Sequence, residues 1–277
     1  MLGPYPPAPL SKLAEQPPAP PPSAAILGVP LAITDYAQVI DWIDATIASG
    51  SRGSLSAAAV HLVMRAQEDP AVMAAVLGLS VVVPDGQPLV WALRALGHAG
   101  ATRVYGPDLM AAYCEHAARS GTPAFLYGGR NEDVLVELSV ALRTRFPGLR
   151  VTGGYAPPFR ELSEEEDEEI ALRIERSGAE VVWVGIGQPR QELWIARMRE
   201  RLSAPVLIAV GAAFDFHAGL VPQAPAWMGR HGLEWSYRLA REPRRLWRRY
   251  ARYNPRFLAA FARQYGQAWR ERHGRSA

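Results

Sequence analysis

Apolar residues along positions 24–223 follow two alternating patterns. Short consecutive apolar runs, such as VVVP at 81–84 and VVWVG at 181–185, are typical of strands buried on both faces. Between these runs, apolar residues recur every three or four positions, which predicts amphipathic helices. The regular alternation predicts an α/β, Rossmann-like fold with a largely parallel sheet and helices on both faces.

The same patterns place the individual elements in order along the chain. A strand pair or short hairpin at 24–33 precedes a helix at 35–50 that ends on a glycine. Strands, or strands running into loops, are predicted at 54–60, 80–86, 122–130, 151–159, 181–187 and 205–216. Helices are predicted at 61–78, 88–97, 108–121, 131–148 and 163–178, the last with acidic residues in its first turn.

The two ends of the chain differ from this central α/β domain at 24–223. Residues 1–23 contain nine prolines and little to bury, which predicts a disordered or polyproline-like leader. Residues 224–277 are helical in pattern, rich in arginine and aromatic residues, and interrupted by Pro243 and Pro255. We interpret them as a separate helical appendage.

Composition narrows the class of protein. A hydrophobic content of 49% with 21% charged residues is usual for a folded soluble chain of 277 residues. Cys114 is the only cysteine, which excludes an internal disulfide and a two-cysteine metal site and favours a reducing, cytoplasmic compartment. No apolar run reaches the roughly 18–20 residues of a membrane span, and no signal-peptide pattern opens the chain.

Charge is distributed unevenly. From Met228 onward the sequence has 13 arginines and 3 glutamates, a net charge of +10, while the whole chain carries only +3. A basic, aromatic segment of this kind suits a nucleic acid, an anionic membrane surface or a phosphorylated ligand. A solvated arginine-rich helix is the simpler alternative.

Polar residues cluster where four of the predicted strands end. Ligands of doubly wound sheets bind beyond the carboxyl ends of the strands, so these groups predict a shared site. A glycine turn leading into a helix favours the binding of an anion such as phosphate, and Arg190 would add a positive charge there. Gln191 and Glu192 could form hydrogen bonds with a ribose or sugar. Each cluster could also be an ordinary turn. The groups are Asp85; Gly128, Gly129 and Arg130; Gln188, Arg190, Gln191 and Glu192; and Asp215 with His217.

Several familiar motifs do not occur in the sequence. It has no GxxxxGK[ST] phosphate loop, no GxGxxG in its first βα unit, and no HExxH, CxxC or serine elbow. It also lacks a DxD pair that could hold a divalent metal on a nucleotide diphosphate. These absences favour a group-transfer enzyme with no metal site and no cofactor, in which arginines neutralise the leaving diphosphate.

Five ordered segments resemble a known family. They are VVVPDGQPLVWALRALG, RVYGPDLM, VGIGQPRQELW, VGAAFDFHAG and LEWSYRLAREPRRLWRRY. They are similar to the successive motifs of the bacterial WecG/TagA/CpsF-type glycosyltransferases, which include N-acetylmannosaminyltransferases and the xanthan glucosyltransferase. The form PDGQPLVW with APPFRELSEEE is more like the exopolysaccharide branch.

The resemblance implies an inverting, metal-independent hexosyltransferase. The donor would be a UDP-sugar and the acceptor a polyprenyl-diphosphate-linked saccharide, at the inner face of the plasma membrane. By motif, Asp85 would be the general base. Arg103 would lie near the donor β-phosphate and Gln191 in the donor pocket, while the appendage would close over the diphosphate through Arg238, Arg245 and Arg248. The spacing of these three arginines, at i, i+7 and i+10, predicts that they share one helical face. The remaining arginines would be left for lipid headgroups: Arg241, Arg244, Arg249 and Arg252.

One segment departs from the family pattern. Where the family has a threonine and an asparagine two positions apart, this chain has SLSAAA, so Ser56 is the candidate for the threonine position and alanine takes that of the asparagine. The change motivates an alternative, a non-catalytic protein that binds a sugar nucleotide or polyprenyl phosphate. An anionic membrane surface is the expected partner of the appendage and nucleic acid is not; the sequence leaves homo-oligomerisation open.

Overall fold

The computed structural model describes residues 18–230 and 232–274, except for the side chains at positions 226, 230, 245 and 274. The strands are β1 (Ser23–Ile26), β2 (Val29–Ala32), β3 (Gly53–Ala58), β4 (Val81–Pro84), β5 (Pro123–Gly128), β6 (Arg150–Tyr155), β7 (Val181–Gly185) and β8 (Val206–Ala209). The helices are α1 (Tyr36–Ala48), α2 (Val60–Glu68), α3 (Pro70–Leu77), α4 (Gln87–Ala95), α5 (Gly106–Ser120), α6 (Glu132–Arg145), α7 (Glu164–Ser177), α8 (Arg190–Met198), α9 (Ala213–His217), α10 (Ala226–Arg230), α11 (Glu234–Arg241) and α12 (Pro243–Gly274).

Six strands form a parallel sheet in the order β4-β3-β8-β7-β5-β6, and β1 pairs with β2 as a separate antiparallel hairpin. Helices cover both faces. Along β7, Val182 and Val184 belong to one apolar core and Val181 and Trp183 to the other, because successive side chains point to opposite faces. The Rossmann-like α/β fold predicted from the sequence is confirmed.

Local signals explain where the helices begin and end. Asp35 caps α1 by accepting from the backbone N–H of Gln38 at 2.9 Å. Ser163 and Glu166 form a reciprocal capping box at the start of α7. The last turns of α5 and α7 end on Gly121 and Gly178, both in the left-handed conformation.

Three predicted elements differ from the structure. The single helix predicted at 61–78 is two helices, because Asp69 has an extended backbone, caps α3 and precedes Pro70 at its first turn. The strand predicted at 205–216 ends at Ala209, and the residues from Ala213 onward form the short helix α9. Pro255 does not interrupt the C-terminal segment, since α12 continues through it.

The C-terminal helices pack onto the α/β domain. Tyr253 and Phe257 of α12 are buried in the same apolar core as residues of α2 and β7. The Gln264 side chain bonds the hairpin at two points, accepting from Leu27 N at 2.9 Å and donating to Ala25 O at 2.7 Å. Helix α12 therefore shares a core with the sheet domain.

The N-terminal leader lies largely outside the described residues, which begin at position 18. Residues 18–22 have no regular structure, and β1 begins at Ser23. Among the described residues, no helix combines the length and the apolar character that crossing a bilayer requires.

Candidate active site

A cavity of about 340 Å³ opens at the carboxyl ends of the parallel strands. The loops after β3, β4, β5, β7 and β8 contribute to its walls, and α11 and α12 close one side. This is where a doubly wound sheet binds its ligands. Its charged and amide side chains are Asp85, Arg130, Gln188, Arg190, Asp215, Arg238 and Arg249.

Glycines at the strand ends let the backbone form this edge. Gly128 has φ +143°, and a Cβ there would lie 2.6 Å from the carbonyl carbon and oxygen of Gly185 on the neighbouring strand. Gly187, at φ +82°, lines the cavity where the chain turns from β7 towards α8. Gly129 also lines the cavity, whereas Gly128 shapes the strand end behind it.

Asp85 follows β4 and is the carboxylate best placed for catalysis. Its Oδ1 accepts from the backbone N–H of Gly106 at 2.7 Å, which fixes its orientation. Burial raises the pKa of Asp85 to about 6, with Glu234 adding to the rise and Arg103 and the Gly106 N–H opposing it. The carboxylate is therefore mostly ionised at neutral pH yet remains a stronger base than an exposed aspartate.

His61 does not compete with Asp85 as a base. Burial, together with the nearby cations Arg249 and Arg65, lowers the pKa of His61 to about 4. Its ring stacks edge-on against Tyr253, with 5.1 Å between centroids. The imidazole is neutral near pH 7 and helps to pack α12 against α2.

Arg103 lies beside Asp85 but does not line the cavity. Its Nε donates to the backbone oxygen of Asp85 at 2.6 Å, and its Nη2 donates to Glu234 of α11 at 2.7 Å. The guanidinium stacks over the Tyr105 ring at 4.2 Å. In this arrangement Arg103 positions Asp85 and α11, so the phosphate contact implied by the resemblance would require a rearrangement.

The C-terminal arginines do not share the single face that a spacing of seven and ten residues predicted. The chain breaks at Glu242, so Arg238 lies on α11 and the later arginines on α12. Arg238 and Arg249 line the cavity, whereas Arg248 is exposed beside Trp247. The side chain of Arg245 lies outside the described residues.

Ser56, Gln191 and Glu192 form a buried network beneath the cavity floor. Ser56 donates to Glu192 Oε1 at 2.6 Å, and Gln191 Nε2 donates to the same oxygen at 2.9 Å. Gln191 Oε1 accepts from Gly211 N at 3.1 Å. Burial raises the pKa of Glu192 to about 7. All three side chains are fully buried and none lines the cavity, so their direct contact with a sugar stays a prediction.

Strand alternation explains the position of Ser56. Because neighbouring side chains of β3 point to opposite faces, Ala57 faces the cavity and Ser56 faces Glu192. Ala59, two positions on, also lines the cavity. Ala57 and Ala59 therefore make this wall of the site apolar.

The far end of the cavity combines an aromatic ring with paired charges. Asp215 accepts two hydrogen bonds from Arg130, both at 3.1 Å. Arg190 lies 5.9 Å from the centroid of the Phe159 ring, which is 79% exposed. Gln188 donates to Ala57 O at 2.7 Å and so ties the β7–α8 turn to β3.

His217 lies outside the cavity. Its Nε2 is 2.9 Å from Pro107 O, which joins α9 to α5. Sequence reasoning missed Tyr105, Phe159 and Glu234 as site residues and assigned Arg249 to the membrane side. No periodicity distinguishes these residues from their neighbours.

Within residues 18–230 and 232–274, no group of three or more histidine, cysteine, aspartate or glutamate side chains could hold a metal ion. The expected independence from metal remains a prediction for experiment.

A comparison with protein families gives a match over nearly the whole chain. The family model described as "Glycosyl transferase WecG/TagA/CpsF family" matches residues 24–271. The match begins with β1 and ends inside α12, so it includes both the sheet and the helices that close the cavity.

Proposed function

The chain belongs to the WecG/TagA/CpsF glycosyltransferase family, and from that premise we propose that it transfers a hexose from a UDP-sugar to a polyprenyl-diphosphate-linked saccharide. The observation that carries this proposal is the position of Asp85. Its carboxylate faces the same cavity as Arg238, Arg249 and the glycine turns of the sheet edge. A base and a diphosphate site are thereby brought together.

The reaction follows from these groups. Asp85 takes the proton of an acceptor hydroxyl while that oxygen attacks the anomeric carbon of the donor. The bond from that carbon to the UDP oxygen breaks, and UDP leaves from the opposite face, which inverts the anomeric configuration. Arg238 and Arg249 meet the charge that develops on the diphosphate, where a metal would act in other transferases.

The nucleoside end of the donor is assigned to the opposite end of the cavity. The exposed Phe159 ring offers a stacking surface for a base, and Arg190 lies beside it. Asp215 has a carboxylate fixed by Arg130 that can accept a hydrogen bond from ribose or base. This orientation directs the diphosphate towards the helix arginines and the sugar towards Asp85.

A membrane-facing role for the C-terminal helices is part of the proposal. Large apolar side chains at 227, 247, 258 and 269 are between 52% and 63% exposed, on a segment rich in arginine. Aromatic rings suit the headgroup layer, and arginines favour anionic lipid. The placement would bring a lipid-linked acceptor to the cavity at the inner face of the plasma membrane.

A donor and acceptor screen tests the function. Purified full-length chain is incubated with UDP-glucose, UDP-N-acetylglucosamine or UDP-glucuronic acid and a prenyl-diphosphate-linked sugar, and UDP release is measured in excess EDTA. We expect one donor to give acceptor-dependent UDP release that EDTA does not abolish. Strict dependence on added Mg²⁺ or Mn²⁺ would refute the arginine mechanism.

The second candidate, a non-catalytic sugar-nucleotide or polyprenyl-phosphate binder, is favoured by the apolar wall of Ala57 and Ala59. It predicts that UDP-sugars bind but that no acceptor gives UDP release. The same screen, combined with calorimetric titration of UDP, distinguishes the two functions.

A further inference from the structure

A second cavity, of about 150 Å³, meets the first at Asp85. It lies between the N-terminal ends of α2 and α4 on one side and helices α11 and α12 on the other. Ala59, Asp85, Arg238 and Arg249 line both cavities. The carboxylate assigned as the general base is therefore accessible from two directions.

The side chains of the second cavity suit a sugar ring. Trp235 and Tyr250 meet edge-to-face with 6.1 Å between ring centroids, and they supply apolar surface. Gln87 and Asn254 supply amide donors and acceptors from opposite walls. Aromatic surface packs against the C–H face of a pyranose, while amides bond its hydroxyls.

Glu234 gives this cavity a fixed hydrogen-bond acceptor for a hydroxyl, beside the arginines that line the same space. Its carboxylate is paired with Arg103 at 2.7 Å, and the two side chains are only 12% and 18% exposed. A fixed carboxylate accepts a hydrogen bond from a sugar hydroxyl. The volume is below the roughly 300–1,000 Å³ of sites for drug-sized ligands, so a single ring fits the space better than a nucleotide.

We propose that the second cavity binds the terminal sugar of the acceptor, with Trp235, Gln87 and Asn254 holding its ring so that one hydroxyl faces Asp85. The inference rests on the proposed transfer reaction. Donor and acceptor would then approach the same carboxylate from separate cavities, with Arg238 and Arg249 at the junction. The acceptor residues would be distinct from those that bind UDP.

Binding measurements on the full chain test this assignment without requiring turnover. Three kinds of ligand are titrated by calorimetry in mild detergent: UDP, farnesyl diphosphate, and farnesyl diphosphate linked to glucose, galactose or N-acetylglucosamine. Trp235→Ala and Asn254→Ala alter the second cavity. Leu172→Ala is the control, because Leu172 of α7 is similarly exposed (54% against 46% for Trp235) but lies outside both cavities and outside the C-terminal helices.

We expect Trp235→Ala and Asn254→Ala to weaken binding of at least one glycolipid by about tenfold, because the first removes a packed ring and the second removes hydrogen bonds. Their affinities for UDP and farnesyl diphosphate should stay within about twofold of wild type, and Leu172→Ala should preserve glycolipid affinity to the same extent. Thermal melts check that each variant is folded; alanine is well tolerated in a helix interior, where Asn254 lies.

Three results would overturn the inference: unchanged glycolipid affinity in folded Asn254→Ala, equal losses for UDP and glycolipid, or a wild-type chain that binds UDP but none of the glycolipids. The last result would leave the donor site standing. A wild-type chain that binds neither UDP nor glycolipid would overturn the proposed function as well.

Discussion

At the scale of single residues, the environment of Asp85 determines what this site can do. The carboxylate is oriented by the Gly106 N–H and lies at the junction of two cavities. Burial raises its pKa to about 6. Such a group can take a proton from a hydroxyl at neutral pH, which a free aspartate does less well.

Asp85→Asn tests the role of this carboxylate. We expect kcat to fall by about 10²–10⁴-fold, the usual contribution of a positioned general base. UDP affinity should stay within a few-fold, because the amide keeps the shape of the side chain. Steady-state kinetics and calorimetry measure the two effects; a variant that retains more than about a tenth of wild-type turnover would exclude Asp85 as the base.

The raised pKa of Asp85 also predicts a pH dependence. The base is active when ionised, so kcat/KM should fall as the pH drops through about 6. Glu192, whose pKa is raised to about 7, is the control because it lies below the cavity floor. In Glu192→Gln the acidic limb should persist at about pH 6. Disappearance of the limb in that variant would assign it to Glu192 instead.

The raised pKa of Asp85 affects the stability of the fold in the opposite direction, because it favours the folded chain at low pH. A pKa raised from 3.8 to about 6 means that the folded chain binds the Asp85 proton more tightly than the unfolded chain, so this group's stabilising contribution is lost as pH rises through that window. Asp85→Asn should therefore have a higher Tm than wild type at pH 7.5 and a similar Tm near pH 4. Calorimetric melts at both values check this, and a lower Tm at pH 7.5 would contradict it.

At the scale of elements, the break between α11 and α12 decides which arginines reach the site. Continuous helical spacing would place Arg238, Arg245 and Arg248 together, but the helix ends at Arg241 and a new one begins at Pro243. Arg249 thereby faces the cavity and Arg248 faces outward.

Adjacent arginines on α12 provide a matched test of that geometry. Arg249→Gln should lower kcat/KM by about 10²-fold or more, because it removes a charge that stabilises the leaving diphosphate. Arg248→Gln should retain kcat/KM within about threefold of wild type on a detergent-solubilised acceptor, since its side chain is exposed. The reverse ranking of the two variants would show that α12 adopts a different orientation during catalysis.

Helix α12 is attached to α2 through one carboxylate. The Glu68 carboxylate accepts hydrogen bonds from Arg252, Arg256 and Tyr253 of α12, and the Arg65 guanidinium lies 3.6 Å from it. Arg252, which the sequence assigned to lipid headgroups, therefore has a partner within the protein. This attachment, with the buried Tyr253 and Phe257, keeps Arg249 at the cavity.

At the scale of the whole molecule, positive charge and exposed aromatic residues are concentrated on the C-terminal helices. Arginines near an anionic bilayer contribute on the order of 1 kcal/mol each. We expect the chain to sediment with phosphatidylglycerol-containing liposomes and to be released by high salt. Neutral phosphatidylcholine liposomes and duplex DNA serve as comparisons.

The variant pair Trp247→Ala and Trp269→Ala tests the aromatic part of that surface. Both rings are 53% exposed, so their removal should weaken liposome binding and leave the Tm within a few degrees. Leu77→Ala, also exposed but on α3, is the control and should not affect binding. Equal binding by all variants would show that the arginines alone, or another surface, contact the lipid.

The sequence by itself determined the order and type of most elements. Consecutive apolar runs mark strands buried on both faces, and caps such as Asp35, Ser163 and Gly178 mark the ends of helices. These signals are local, since each depends on neighbours within a few residues. The ordered motifs also indicated the family and the position of Asp85 at a strand end.

Tertiary structure alone decided which polar side chains meet. Ser56 and Ala57 are adjacent in sequence, yet one bonds Glu192 beneath the floor and the other lines the cavity. Arg103 and Glu234 are 131 positions apart and become partners only when α11 packs beside the loop that precedes α5. Side-chain direction and long-range pairing depend on the packing of whole elements, which local periodicity does not encode; the second cavity, formed between α2, α4 and the C-terminal helices, exists for the same reason.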